Sequence, residues 1–133
     1  GDVLAVRLDP GEEIIASVLK IAKDEDIRFA EISAIGAVGR AVFGLYDLEE
    51  QKYHSLTFVQ PLELVSLNGN LSRKDGEPYL HLHAAFADEE GAVIGGHLNE
   101  AVISATCEMF IKIFDIDMGR RISEQTGLNI FDI

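Results

Sequence analysis

The residues of this chain best suited to chemistry are three histidines. His81 and His83 lie two apart in the run YLHLHAAF, and His97 follows in AVIGGHLNE. Side chains on a β-strand alternate between faces, so His81 and His83 point the same way while Leu80 and Leu82 point into whatever core the strand covers. Asp88 to Gly91 (DEEG) is polar and ends in glycine, as a hairpin connection does. The chain then returns and delivers His97 behind Gly95-Gly96, a pair that lets backbones approach closely. Two imidazoles from one strand and a third from its neighbour are a common way to hold zinc. Structural zinc sites take four protein ligands, whereas catalytic ones keep three and leave a position for water. With no cysteine nearby, the spacing predicts three histidines and an open position. Zinc held there would acidify its water or polarise a carbonyl. Glu100, three residues after His97, is the nearest candidate for a general base or a partner to a ligating histidine, and Glu77 is a weaker one. The competing reading is that the three are ordinary sheet histidines, and the residue types leave both readings open. His54, between Tyr53 and Ser55, reads as a surface or core histidine. Cys107 sits on an apolar alternating face and reads as an inert buried thiol. No glycine-rich phosphate loop is present, so nucleotide binding has no support.

The elements that must position these residues are mostly strands. Asp2 to Leu8 reads as a first strand. Asp9 can cap a helix, Pro10 suits its first position, and Glu12 sits where a capping box needs it. Ile14, Ile15, Val18, Leu19 and Ala22 then form one apolar face, and the helix should end near Lys23. Arg28 to Val38 and Ala41 to Tyr46 read as two successive strands, with Gly36 and Gly39 suggesting a bulge or a tight bend between them. Lys52 to Phe58 and Leu62 to Ser72 follow as strands, and Asp75-Gly76 marks a hairpin turn before the histidine strand. The return strand and a long last strand complete about eight. The tail from Asp117 to Ile133 is turn-rich, with a short helical piece near Ser123. Short connections make neighbours antiparallel. The fold class is α+β: residues 1–133 as one domain, with a large, highly curved antiparallel sheet and one main N-terminal helix.

Composition narrows the setting. The chain has 133 residues, 47% of them hydrophobic, enough for one sizeable core. No apolar run approaches the ~20 residues that span a bilayer. The opening residues lack the basic start of a signal peptide, and one cysteine makes no internal disulfide, so a cytoplasmic location is expected. A net charge of −12 opposes non-specific nucleic-acid binding, which depends on lysine and arginine displacing counterions.

The run HLHAAFADEEGAVIGGHLNEAVISATCEMFI resembles the signature of the plants-and-prokaryotes-conserved (PPC) domain family. Its prokaryotic members show H-x-H, an Asp/Gly-rich turn, then V-x-G-G-H-L. ISAIGAVGRAVFGLYD is similar to the family's early glycine-containing strands, LELVSLNGNLS to its central strand, and TGLNIFDI to the close of prokaryotic members. The resemblance implies a PPC-like α+β domain that assembles as a homotrimer, with one zinc bound at His81, His83 and His97. In plants the domain follows an AT-hook that contacts DNA, while the domain itself forms trimers and recruits partner proteins. This chain has no Arg-Gly-Arg-Pro hook. The plant motif G-R-F-E-I-L corresponds to Gln60-Pro61-Leu62-Glu63-Leu64-Val65, which keeps the glutamate and loses the arginine. The DNA role therefore transfers poorly and the metal role well. Phe110 and Phe114, together with the segment around Phe43 and Leu45, need cover that a trimer would provide. A few hundred Å² of buried apolar surface per subunit, at ~25 cal/mol per Å², is worth several kcal/mol. A looser resemblance, to zinc-dependent acetolactate decarboxylases, implies as an alternative a metal-assisted lyase acting on a small oxo- or hydroxy-acid.

Overall fold

The computed structural model describes residues 2–133. The strands are β1 (Asp2–Leu8), β2 (Ala30–Asp47), β3 (Lys52–Phe58), β4 (Leu62–Lys74), β5 (Glu77–Ala87), β6 (Val93–Ile113), β7 (Arg120–Ile122) and β8 (Asn129–Phe131), with one helix, α1 (Ile14–Asp24). Six strands form one antiparallel sheet in the order β1-β6-β5-β4-β2-β3, and β6 also pairs with β2. That extra pairing closes a ring, β2-β4-β5-β6-β2, so the sheet curls round its own apolar face. The α+β class, single domain and curved antiparallel sheet expected from the sequence are all present.

Both long strands are longer than their glycines suggest. β2 runs unbroken through Gly36 and Gly39, and β6 joins the expected return strand and last strand into one. The glycines and neighbouring residues absorb the curvature as register shifts at Gly36/Val38 and Val38/Arg40 rather than ending the strand. One shift sets Ala105 outside, although it lies two residues from Ile103 and from Cys107; Ile103, Cys107, Met109 and Ile111 are buried.

Helix α1 starts later than Asp9 and Pro10 suggest. Asp9 to Glu12 instead form a separate turn, in which Glu12 Oε2 accepts from the Asp9 N–H at 2.7 Å and Gly11 takes a φ of 91°. The cap is Glu13. Its carboxylate accepts from Ile15 N (2.9 Å) and Ala16 N (2.8 Å), and also from Ala101 N on β6 at 2.9 Å. One side chain thus starts the helix and ties it to the strand that carries His97. Ile14, Val18 and Ala22 face the core, beside Phe43 and Phe86, which stack with centroids 5.4 Å apart. Phe43 is 1% exposed, so only Leu45 of that expected pair lies open, at 75%. Phe114 is half-buried, against Phe29 at 5.4 Å, whereas Phe110 is 57% exposed as expected.

The tail forms a β-hairpin rather than a helical piece. β7 and β8 pair from Arg120↔Phe131 to Ile122↔Asn129, and the turn is closed by Gly127 N to Ser123 O at 2.8 Å. The Tyr46 hydroxyl donates to Thr126 O at 2.8 Å, and Arg73 N to Met118 O at 3.0 Å, which fastens the tail to β2 and β4.

Candidate metal centre

The alternation on β5 works as the sequence predicts. Leu82 is buried at 1% while His81 and His83 project from the opposite face. The register of the β5–β6 hairpin sets His83 directly across from His97, and β6 at the same residue pairs with Gly44 of β2. His97 therefore stands where three strands meet. Gly95 and Gly96 are required by this crowding. A β-carbon on Gly95 would strike the Ala84 carbonyl oxygen, and one on Gly96 that of Gly44.

The three rings converge. Their centroids are 4.9 Å (His81–His83), 5.4 Å (His81–His97) and 5.7 Å (His83–His97) apart. One ring nitrogen from each lies within 4.8 Å of the other two, and the Nε2 atoms of His81 and His83 are 3.1 Å apart. Two nitrogens bound at 2.0–2.1 Å to one tetrahedral ion lie about 3.3 Å apart, so this spacing needs little adjustment to accept a metal. Burial, reinforced by the neighbouring imidazoles and Arg120, lowers the His81 pKa to about 4. Burial and His83 lower that of His97. Both are thus held in the neutral form that ligates metal. The donor set is all imidazole, and among the described residues no carboxylate joins it. The cluster can hold a divalent ion.

Glu100 lies outside the cluster, and its Oε1 pairs with Arg40 Nε at 3.3 Å. Glu77 faces Lys23 at 3.8 Å. His54 stands apart from the three, grouped with Asp47 and Glu50 on the exposed β2–β3 hairpin. Cys107 is fully buried, and burial pushes its thiol up to about 11.

Several residues of the site carry no sequence signal. Tyr53, on β3, sits edge-on to His97 at 5.7 Å, and its hydroxyl donates to Asn99 Oδ1 at 2.6 Å, with the His97 carbonyl at 3.1 Å. The tail hairpin forms the far wall. A cavity of about 270 Å³ lies between His81, His97 and Asn70 on one side and Arg120, Asn129 and Phe131 on the other. Arg120 is clamped between the rings of Tyr79 (4.9 Å) and Phe131 (4.5 Å). Its Nε donates to Ser72 Oγ at 2.8 Å and its Nη2 to Asn70 Oδ1 at 2.6 Å. Only the adjacent pair Arg120-Arg121 marked it in the sequence. β7 is three residues long, too short for a pattern to place it.

The family model of the Plants and Prokaryotes Conserved (PCC) domain matches residues 1–115. Among solved structures, the chain is similar to a metal-containing protein from Archaeoglobus fulgidus, with 38% identity and a TM-score of 0.93, covering 98% of this chain and 93% of that one. It is similar to a plant- and prokaryote-conserved protein of Pyrococcus horikoshii at 31% identity and a TM-score of 0.92, covering 100% and 92%. A Bacteroides thetaiotaomicron protein provisionally described as DNA-binding superposes with a TM-score of 0.96 at 26% identity, covering 99% and 92%. A curated relative, the bifunctional protein GlmU of Synechococcus sp. (strain JA-3-3Ab), is 32% identical over 111 residues, which is 82% of this chain but 17% of that protein's length. The acetolactate decarboxylase of Bacillus subtilis subspecies spizizenii shares the fold alone, with 19% identity and a TM-score of 0.61 over 88% of this chain and 55% of that one.

Proposed function

The chain belongs to the Plants and Prokaryotes Conserved domain family, and from that premise we propose that it is a homotrimeric zinc protein whose metal faces a small-molecule pocket. One zinc per chain is held by His81, His83 and His97, with a fourth position left to water or ligand. The observation that carries this reading is the convergence of three imidazoles with no carboxylate among them. An all-nitrogen donor set suits zinc better than magnesium or calcium, which take oxygen. Bound zinc would act as a Lewis acid toward a carbonyl or water. Tyr53 steadies the His97 backbone, and the tail hairpin walls one side of the cavity.

Trimer formation is supported by apolar surface that has no cover within the chain. Ile35, Val65 and Phe110 line one groove, and Leu45, Leu56 and Val59 are exposed on or beside the β2–β3 hairpin. A cytoplasmic location is supported by the single reduced cysteine. No helix is long and apolar enough to cross a membrane.

Protein purified without a histidine tag and equilibrated with zinc should hold about one zinc per chain, and His97→Ala should lose it. A wild-type content below about a tenth of an equivalent, or full zinc in the alanine variant, would overturn the assignment.

A second reading is a zinc-dependent lyase acting on a small oxo- or hydroxy-acid, favoured by the cavity beside His81 and His97. In that reading Glu100 would serve as proton acceptor only on leaving its pair with Arg40. DNA binding is opposed by the net charge of −12. A gel-shift assay at low salt, where phosphate contacts are strongest, decides it: no shift is expected.

A further inference from the structure

Six arginines occur in this chain. Five have a carboxylate within ion-pair distance: Arg7 with Asp9, Arg28 with Asp117, Arg40 with Glu100, Arg73 with Asp26 and Arg121 with Asp132. Arg120 has none among the described residues, although acidic side chains outnumber basic ones by 23 to 11. Its partners are neutral oxygens only: Ser72 Oγ, Asn70 Oδ1 and, at 3.4 Å, the Asn129 carbonyl. A guanidinium has five N–H donors, so two remain free. The aromatic clamp and those three contacts hold the group rigidly while its charge stays uncompensated. Across the same cavity stand His81 and His97, two imidazoles of the cluster, which bring no negative charge. Once a dication is held there, the cavity carries three positive charges and no anion from the protein. A second orphan lies in the same wall. The carboxamide oxygen of Asn129 is buried without a partner, while its nitrogen reaches Tyr79 Oη at 3.4 Å.

We infer that this cavity binds a small hydroxycarboxylate, with the carboxylate on the free N–H groups of Arg120 and the hydroxyl donating to Asn129 Oδ1. The inference rests on the metal reading above; it narrows the ligand to a hydroxycarboxylate and adds the residues that select it. One N–H is left free on each Nη of Arg120, and a planar guanidinium with one donor on each can take a carboxylate in bidentate fashion. An acceptor buried without a partner favours a ligand that brings a donor, because an unmatched oxygen there costs binding energy. The volume of about 270 Å³ exceeds the ~150 Å³ that takes up benzene, so an acid of a few carbons fits. Arg120 lies beyond the residues matched by the family model, which end at 115.

Calorimetric titration of the zinc-loaded protein with glycolate tests the proposal. Glycolate should bind saturably. Glycolamide, which lacks the charge, and the Arg120→Gln variant should each weaken binding by about tenfold or more, with zinc content unchanged. Arg120→Lys keeps the charge but loses the fork and should fall between, which covers the case that the glutamine variant does not fold. Acetate, which lacks the hydroxyl, should bind about threefold or more weakly than glycolate. Equal affinity for glycolate and glycolamide in the wild type, or tighter binding of inorganic phosphate or a short DNA duplex, would overturn the inference while leaving the metal reading intact. Failure of the wild type to take up zinc at all would overturn the metal reading, and the inference with it.

Discussion

Replacing Glu13 by alanine removes three hydrogen bonds with different consequences. Two of them, from Ile15 N and Ala16 N, cap helix α1; the third, from Ala101 N, ties the cap to β6. Loss of a cap costs about 1 kcal/mol. The Ala101 N–H belongs to a fully buried residue, so leaving it without an acceptor adds about 1–3 kcal/mol. The total is about 2–4 kcal/mol. For a domain of this length a loss of 1 kcal/mol lowers the melting temperature by roughly 3–5 °C, so Glu13→Ala should melt about 6–20 °C lower. Glu13→Asp separates the two contributions. The shorter side chain still caps the helix but falls short of Ala101, and should lose only the second, about 1–3 kcal/mol. Urea unfolding followed by circular dichroism, at one fixed protein concentration, measures both. A Glu13→Ala variant within about 0.5 kcal/mol of wild type would refute the reasoning, because it would mean that water replaces all three acceptors at no cost.

The apo protein should lose stability as the pH falls from about 6.5 toward 4. Burial and neighbouring imidazoles hold His81 down to about 4 and lower His97, so in that window the unfolded chain binds more protons than the folded one. Above about 6.5 both states are neutral and this contribution vanishes; denaturant midpoints in metal-free buffer across that range, with His81→Asn expected to flatten the curve, check it. Cys107, pushed up to about 11, should react with a thiol reagent at pH 8 about 100-fold more slowly in the native than in the denatured protein. Equal labelling rates would show that the strand opens far more readily than its packing allows.

Much of the site was legible because a period of two is a strict rule. His81 and His83 could share a face only on a strand, and Gly95-Gly96 announced the close approach that carries His97 to them. A bulge or bend at Gly36 and Gly39 was legible, but not that β2 and β6 each run through as one strand. That continuity depends on partners about 70 residues away in sequence, as in the pair Gly36↔Cys107. The start of α1 was misplaced because Asp9, Pro10 and Glu12 form a plausible cap by themselves, whereas Glu13 is chosen by a tertiary contact to Ala101. Phe114 and Phe43 read as needing cover from another subunit, yet each has a ring within the chain to pack on. Arg120 was invisible as a ligand-facing group, because its meaning comes from Tyr79 and Asn70, about 40 and 50 residues earlier in the chain, and from Phe131 across a hairpin that was itself read as turn-rich tail.

The closure of the sheet has a kinetic side. Ring-closing pairs such as Ala30↔Ile113 join residues far apart along the chain, and contacts of that kind form slowly because the loop entropy must be overcome before they contribute. The imidazoles obey a different clock. All three lie within the β5–β6 hairpin, whose turn spans only Asp88 to Ala92. A nascent chain therefore owns all three histidines of the candidate site as soon as His97 has emerged, before β6 has reached β2, and an ion captured at that stage would act as a template for the ring that later closes around it.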